Sequence, residues 1–304
     1  PGHEQYTRNM ATGASTANLA ILLIDARNGV VTQTKRHAFV VTLLGVPHII
    51  VAVNKMDAVA YRQDVYQAIV DEFSRFAQRL AIADLRFVPI SALHGDNVVA
   101  RSEHMPWYTG ESLLEMLENV YIGSDHNLVD LRFPVQYVIR PHMDFRGYAG
   151  SVASGVIRRG DDVLILPSMQ TSRVTSITTY DGELTEAFPP MAVTVTLADE
   201  RDISRGDMLV HRNNMPRVER HFEAMVVWMN DQPLDPTKPY WIKHTTQTLR
   251  ARVDEIRYRV DVNTLTRLPA APLGLNEIGR VVFTATKPLF LDAYQKNRET
   301  GAFI

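Results

Sequence analysis

The chain has 304 residues, 45% hydrophobic and 22% charged, with a net charge of −2. That is enough for two or three soluble domains, and it gives no general attraction for nucleic acid or an anionic membrane. Cysteine is absent, which excludes disulfides, thiolate catalysis and Cys-ligated zinc or iron–sulfur clusters and agrees with a cytoplasmic location. The strongest apolar runs, "LAILLI" and "IIVAV", are strand-sized, well short of the roughly 18–20 residues that cross a bilayer as a helix.

Pro1-Gly2-His3-Glu4 has the form of a loop that approaches a phosphate closely before a helix begins, and no signal-peptide pattern opens the chain. Short apolar runs then alternate with helical periodicity, a βα pattern. Asn18–Asp25, His48–Val53 and Arg86–Ser91 are nearly continuous apolar runs, as expected of parallel strands covered on both faces. Gln33–Leu44, closed by Gly45 and Pro47, is a candidate helix. Val65, Ile69, Phe73, Phe76 and Leu80 give a second helix one buried stripe, and Ser112–Val120 makes a third.

After about Asp130 the texture changes to short strands. Phe133, Val135, Tyr137 and Ile139 alternate, and "RRGDD" (Arg158–Asp162), "YDG" (Tyr180–Gly182) and "RGD" (Arg205–Asp207) supply turns at spacings typical of small barrels. A second β module follows "HRNNMPRV". In it Leu249, Ala251 and Val253 share one parity and Ile256, Tyr258 and Val260 the other, which predicts a bulge or turn near Asp254–Glu255. The fold class is therefore α/β followed by all-β. A parallel sheet with flanking helices is expected over 1–125, a β-barrel over 130–213 and a second β-barrel over 217–304.

In open α/β sheets ligands bind at the carboxyl ends of the strands. Asn54-Lys55-Met56-Asp57 follows one predicted strand and Ser91-Ala92-Leu93 ends the next, so two loops meet one ligand. The Asp57 carboxylate can accept from both the ring N–H and the exocyclic amine of guanine, a two-point match that adenine cannot make. Asn54 can brace the neighbouring loop and approach the polar edge of the base. The Lys55 stem can lie across the aromatic face, and the Ala92 N–H can donate to the guanine carbonyl. Three fixed letters alone also describe an ordinary solvated strand-to-helix turn; the order of the motifs along the chain is what makes them specific. His3 alone would read as a satisfied or solvent-facing histidine, but beside Pro1-Gly2 it reads as orienting an attacking water. No second His follows His3-Glu4 at the metalloprotease spacing, and no metal ligand is assigned in this chain. Arg250, Arg252, Arg257 and Arg259 alternate with apolar residues, ordinarily a solvated face rather than a partner-binding stripe.

These motifs carry a resemblance. Pro1-Gly2-His3-Glu4, "NMATGAS" (Asn9–Ser15), "AILLIDARNGVVTQT", Asn54-Lys55-Met56-Asp57 and Ser91-Ala92-Leu93 look like the third, fourth and fifth guanine-nucleotide motifs of the translation-factor GTPases, the elongation factor Tu group being the nearest broad class. Within it, "MPWYTGESLLE", "RFPVQYVIRPHMDFRGYAGSVASG", "DERDISRGDML", "RVDVNTL" and "PLFLDAYQKNRETGAFI" resemble the GTPase subunits of sulfate adenylyltransferase. The resemblance implies a P-loop GTPase domain with two β-barrels, GTP and Mg2+ as cofactors, and a separate catalytic adenylyltransferase subunit as partner. In that family GTP hydrolysis drives formation of adenosine 5′-phosphosulfate from ATP and sulfate. Carried onto this sequence, it makes His3 catalytic and gives nucleotide binding to Pro1, Gly2, Asn54, Lys55, Asp57, Ser91, Ala92 and Leu93.

No Gly-x-x-x-x-Gly-Lys-Ser/Thr occurs, and no Asp precedes Pro1. The phosphate cradle, the magnesium ligands and the first switch are therefore missing, so an N-terminally truncated portion, inactive by itself, is expected. The family pattern would also continue past "GAFI" with a last barrel strand, leaving the second barrel incomplete. Two alternatives stand: an elongation-factor-type translational GTPase, against which "DFRGYAGSVASG" and "NRETGAFI" argue, and a nucleotide-free partner-binding module. No membrane or nucleic-acid partner is expected.

Overall fold

The computed structural model describes residues 10, 13–80, 82–122, 127–142 and 145–304. Pro1, Gly2 and His3, and the loop expected at Pro1–Glu4, lie outside the described residues. The chain forms two compact units. The first comprises Pro1–Asp125, Val227–Leu234 and Tyr258–Gly279, the second His126–Val226, Asp235–Arg257 and Arg280–Ile304.

In the first unit β1 (Leu19–Asp25), α1 (Thr32–Leu43), β2 (His48–Asn54), α2 (Gln63–Ala77), β3 (Asp84–Pro89) and α3 (Leu113–Asn119) follow in order. The strands form a parallel sheet, β1-β2-β3. β2 is central and buried on both faces. Ile49, Val51 and Val53 pack with Ile24 and Phe73 on one side, while Ile50 and Ala52 pack with Val88, Ile90 and Met116 on the other. This is why its sequence reads as unbroken apolar residues rather than alternating ones. The β1 edge strand buries Leu22 and Ile24 but exposes Ile21 and Leu23 on its other face.

The helices follow from local chemistry. Tyr66, Ile69, Phe73 and Phe76 make the buried stripe of α2, which ends at Ala77. Leu80 lies in the following turn and still packs against the core, extending the apolar period beyond the helix. α1 stops at Leu43, and Gly45 takes φ +66°, the left-handed geometry that glycine adopts without steric cost at a helix end. At α3, Ser112 Oγ accepts from the Glu115 N–H while the Glu115 carboxylate accepts from the Ser112 N–H. This capping box satisfies two donors the helix start would otherwise leave unpaired.

The second unit holds β4 (Phe133–Pro134), β5 (Tyr137–Ile139), β6 (Gly147–Ser151), β7 (Ile157–Arg158), β8 (Asp162–Leu166), β9 (Gln170–Thr179), β10 (Gly182–Leu184), β11 (Glu186–Ala187), β12 (Ala192–Leu197) and β13 (Met208–His211). The main sheet runs β4-β13-β8-β9-β12-β6-β5. β4 and β5 stand at opposite ends of that order, yet only Val135 and Gln136 separate them. Two residues cannot span an open seven-strand path, so the sheet closes on itself as a barrel. Inward residues alternate accordingly: Val163 and Ile165 join Phe133, Tyr148, Ile177, Val195 and Leu209 in the barrel core, while Leu164 and Leu166 pack outward with Met208, Val210 and Phe290.

Barrel closure also corrects one sequence expectation. Phe133 and Val135 are buried but Tyr137 is exposed, because the chain turns a corner between the two closing strands and the alternation does not carry through. The turns at Gly160, Gly182 and Gly206 stand where expected, with φ of +93°, +129° and +102°.

β14 (Arg217–Val227), β15 (Pro239–His244), β16 (Gln247–Val260), β17 (Arg267–Leu268) and β18 (Ile278–Leu291) form the remaining sheet, in the order β14-β18-β16-β15 with β17 on β16. Leu249, Ala251 and Val253 are buried, Asp254 and Glu255 are both exposed, and Ile256 and Tyr258 resume half-buried on the other parity. The parity change falls where the sequence places it.

Candidate functional site

Parallel pairing sets the site. The register matches Asp25 to Asn54 and Val53 to Pro89, so all three strands deliver their carboxyl ends to one edge of the sheet. Loops 25–29, 54–61 and 91–97 leave from that edge. Met56 anchors the middle loop, its side chain fully buried in the core and its N–H donating to the Ile90 carbonyl.

Asn54 ties two loops together. Its Oδ1 accepts from the Lys55 N–H at 2.7 Å and from the Ala92 N–H at 3.0 Å. Both partners are donors, so the oxygen faces them and the Nδ2 amide remains as a donor. The Ala92 N–H, which sequence reasoning directed at a guanine carbonyl, is thus engaged by Asn54. Asp57 begins a single 3-10 turn, Asp57–Val59, and its Oδ1 accepts from Ser91 Oγ at 2.7 Å. Ser91 itself is fully buried, whereas Leu93 is 81% exposed.

Lys55 has φ +63°, a left-handed backbone that turns the chain sharply after β2. Its Nζ reaches Asp25 Oδ2 at 2.8 Å. Asp25 is also gripped by Arg27, through Nε at 3.0 Å, Nη2 at 2.7 Å and the backbone N–H at 3.0 Å. The Arg27 guanidinium is the largest influence on this carboxyl; burial opposes it, and the hydrogen bonds from Lys55 and the Arg27 N–H add to Arg27 and hold the group far below the usual range, so it stays ionised and keeps the lysine pinned.

Sequence reasoning missed Asp25. The available signal was an acidic residue at the end of the neighbouring parallel strand. It also missed Asp96, whose carboxylate accepts from Tyr61 Oη at 2.7 Å and Ser102 Oγ at 2.6 Å and meets His104 Nδ1 at 3.1 Å. Burial opposes ionisation of Asp96, but these hydrogen bonds outweigh it and hold its carboxyl below the ordinary range. The Tyr61 phenol is pushed up to about 12, by burial first and by Asp96 second.

The donor set fits a guanine base: a half-buried carboxylate held by a buried serine, an amide donor, and a lysine stem whose far end is fixed. Among the described residues no group of three or more His, Asp or Glu side chains is arranged to hold a metal ion, and no helix is long and apolar enough to cross a membrane. A groove of about 460 Å³ on the barrel, lined by Gln136, Tyr137, Gly150, Thr179 and Tyr180 among others, carries hydroxyl, amide and backbone groups but no Asp, Glu, Lys, Arg or His side chain. The arginine stripe resolves into ordinary pairings: Arg252 with Asp254, Arg257 with Glu223 and Glu255, Arg259 with Glu277, and Arg250 over the Trp241 ring at 4.9 Å.

Family models match along most of the chain. Residues 1–122 match the elongation factor Tu GTP binding domain, 148–210 elongation factor Tu domain 2, and 221–304 the GTP-eEF1A C-terminal domain-like family. Sulfate adenylyltransferase subunit 1 of Bacteroides thetaiotaomicron is 57% identical over 313 aligned residues, covering all of this chain and 64% of the relative. The bifunctional enzyme CysN/CysC of Rhodopirellula baltica is 58% identical, again over the whole chain but only 47% of the relative. The chain thus spans between about half and two thirds of the length of these curated relatives. Among solved structures, sup35 complexed with GDP superposes with a TM-score of 0.55 at 23% identity, over 96% of this chain and 76% of that one. At that identity the likeness speaks to the fold alone. The chain belongs to the elongation factor Tu-like translation-factor GTPases, in the group that contains sulfate adenylyltransferase subunit 1.

Proposed function

We propose that this chain is part of the GTPase subunit of a sulfate adenylyltransferase, in which GTP hydrolysis is coupled to formation of adenosine 5′-phosphosulfate by a separate catalytic subunit. The observation that carries the nucleotide half of this reading is the Asp57–Ser91–Asn54 arrangement at the carboxyl edge of the parallel sheet. The coupling half is supported by the relatives named sulfate adenylyltransferase subunit 1. Its organisation is a GTPase domain over 1–125 and two β-barrels over 130–213 and 217–304.

In this reading Asp57 accepts from the base N–H and amine, the Asn54 amide donates to the base's acceptor edge, and the Lys55 stem, fixed by Asp25, lies across the ring. Leu93 and Ala92 border the base, Ala92 through the loop that Asn54 holds. Pro1, Gly2 and His3 belong to the switch loop, with His3 orienting the attacking water. GTP, held with Mg2+ by residues of the whole protein, supplies a γ-phosphate whose loss releases such a loop and passes a two-state signal onward.

The test uses the full-length protein. It should copurify with an adenylyltransferase subunit, prefer GTP over ATP in competition binding, and raise adenosine phosphosulfate yield only when GTP is hydrolysed. An unchanged yield with and without GTP overturns the coupling. Equal affinity for GTP and ATP overturns the guanine site.

A further inference from the structure

Hydrogen bonds close a ring around the side chain that reads the base. Ser91 Oγ donates to Asp57 Oδ1 at 2.7 Å, and the Ser91 N–H donates to the Asp96 carbonyl at 3.1 Å. Tyr61 Oη donates to Asp96 Oδ2 at 2.7 Å, and the Tyr61 N–H returns to the carbonyl of Met56, the neighbour of Asp57, at 2.8 Å. Asp96 therefore joins both loops of the site, one through its backbone and the other through its carboxylate.

The second loop needs such a tie. Ala60 and Tyr61 have φ of +54° and +53°, a conformation that residues with side chains keep only where the surroundings hold them. Three further contacts hold Tyr61 and Asp96. The His104 ring stacks on Tyr61 at 4.9 Å between centroids, Trp107 Nε1 donates to the Tyr61 carbonyl at 3.0 Å, and Ser102 Oγ donates to Asp96 Oδ1 at 2.6 Å. The segment that supplies them, Ser102–Trp107, leads directly into the capped start of α3.

From this ring we infer that Asp96 is a positioning residue for guanine selection, acting through Tyr61 and Ser91 to set the Asp57 carboxylate. The inference rests on the guanine-site reading and adds to it a residue outside both base-reading motifs. A merely structural tie would loosen the site for every nucleotide alike. A positioning tie acts on the bond that only guanine makes. Inosine keeps the ring N–H and lacks the exocyclic amine, so the ratio of GTP to ITP affinity isolates the second oxygen of Asp57.

The experiment measures that ratio, and the KM and kcat of GTP hydrolysis, in the full-length protein. Tyr61→Phe removes one hydroxyl and keeps the stacked ring, and Asp96→Asn removes the charge. In both variants the GTP/ITP ratio should fall by about threefold or more, as expected of residues coupled through one hydrogen-bond network, with KM raised and kcat unchanged. GTP and ITP affinities that fall together, leaving the ratio at its wild-type value, overturn the inference. Should Asp96→Asn fail to fold, the ratio in Tyr61→Phe decides alone. A wild-type protein without any preference for GTP over ITP overturns the guanine site itself and this inference with it. A wild-type preference that both variants retain overturns only the role of Asp96.

Discussion

Ser91 Oγ donates to Asp57 Oδ1 at 2.7 Å from a fully buried position, so the carboxylate proposed to read the base is oriented by a side chain that solvent does not reach. A hydroxyl bond to a charged acceptor is worth more than a neutral one. Ser91→Ala should weaken GTP binding by about 1–2 kcal/mol, roughly five- to thirtyfold. The rate of hydrolysis at saturation should stay near wild type, because the base lies away from the reacting phosphate. Titration with a fluorescent GTP analogue checks this, and wild-type affinity in the variant would show that Asp57 needs no such support.

Asp57→Asn exchanges one acceptor for an amide donor. Against guanine that sets donor against donor at the exocyclic amine, whereas xanthine carries an oxygen there and accepts. Selectivity should therefore move from GTP to xanthosine triphosphate. A well-made bidentate base contact is worth about 1–3 kcal/mol, so each affinity should shift by roughly tenfold in opposite directions. Competition of both nucleotides for both proteins measures it. A variant that keeps its GTP preference would remove Asp57 from the base site.

Arg132 and Asp292 form a bidentate pair, Nε–Oδ2 at 2.7 Å and Nη2–Oδ1 at 2.9 Å, with side chains 0% and 7% exposed. Nη1 also donates to the carbonyls of Leu131 and Asn214, and Thr300 Oγ1 donates to Asp292. Removing one partner leaves the other charge buried, so Arg132→Met should cost about 3–5 kcal/mol of stability. The double variant Arg132→Met/Asp292→Leu should recover much of that loss. Urea unfolding of all three proteins is the check, and a single variant within 1 kcal/mol of wild type, on the usual scale of surface changes, would mean water reaches the pair.

Much of this molecule is legible in its sequence where burial imposes a pattern. β2 reads as a run because both of its faces are covered, α2 as a stripe because one is, and Gly160, Gly182 and Gly206 as turns because their backbone needs φ above zero. Asn54, Asp57 and Ser91 are legible because parallel strands bring their carboxyl ends together. The partners of these residues are not. Asp25 lies 30 positions before the lysine it pins, and Tyr61 lies 35 before the carboxylate it holds. The end of β1 marks Asp25 as an acidic strand-end residue, but nothing local to either residue names the side chain it pairs with. Tyr137 escaped for a related reason: alternation is a property of one strand, and barrel closure breaks that strand in two.

His244 carries the pH dependence expected of the folded chain. It is fully buried, its Nε2–H donates to the Thr300 carbonyl at 3.0 Å, and its Nδ1 has no hydrogen-bond partner among the described residues. The ring is therefore neutral, with the proton on Nε2, and burial pushes its pKa below the ordinary histidine value. His37 is shifted the same way, by burial first and by Arg36 second. For a group whose pKa is lower folded than unfolded, the unfolded chain takes up more protons between the two values. Stability is then fully present above about pH 6.5 and declines as pH falls through the interval below it, by at most about 1.4 kcal/mol per pH unit for each such group. His244→Gln can keep a donor near the Thr300 carbonyl while removing the titration. It should flatten the fall in urea-unfolding free energy between pH 6.5 and pH 5. A slope identical to wild type would mean that Nδ1 accepts its proton without cost, and the buried, neutral state assigned to His244 would be wrong.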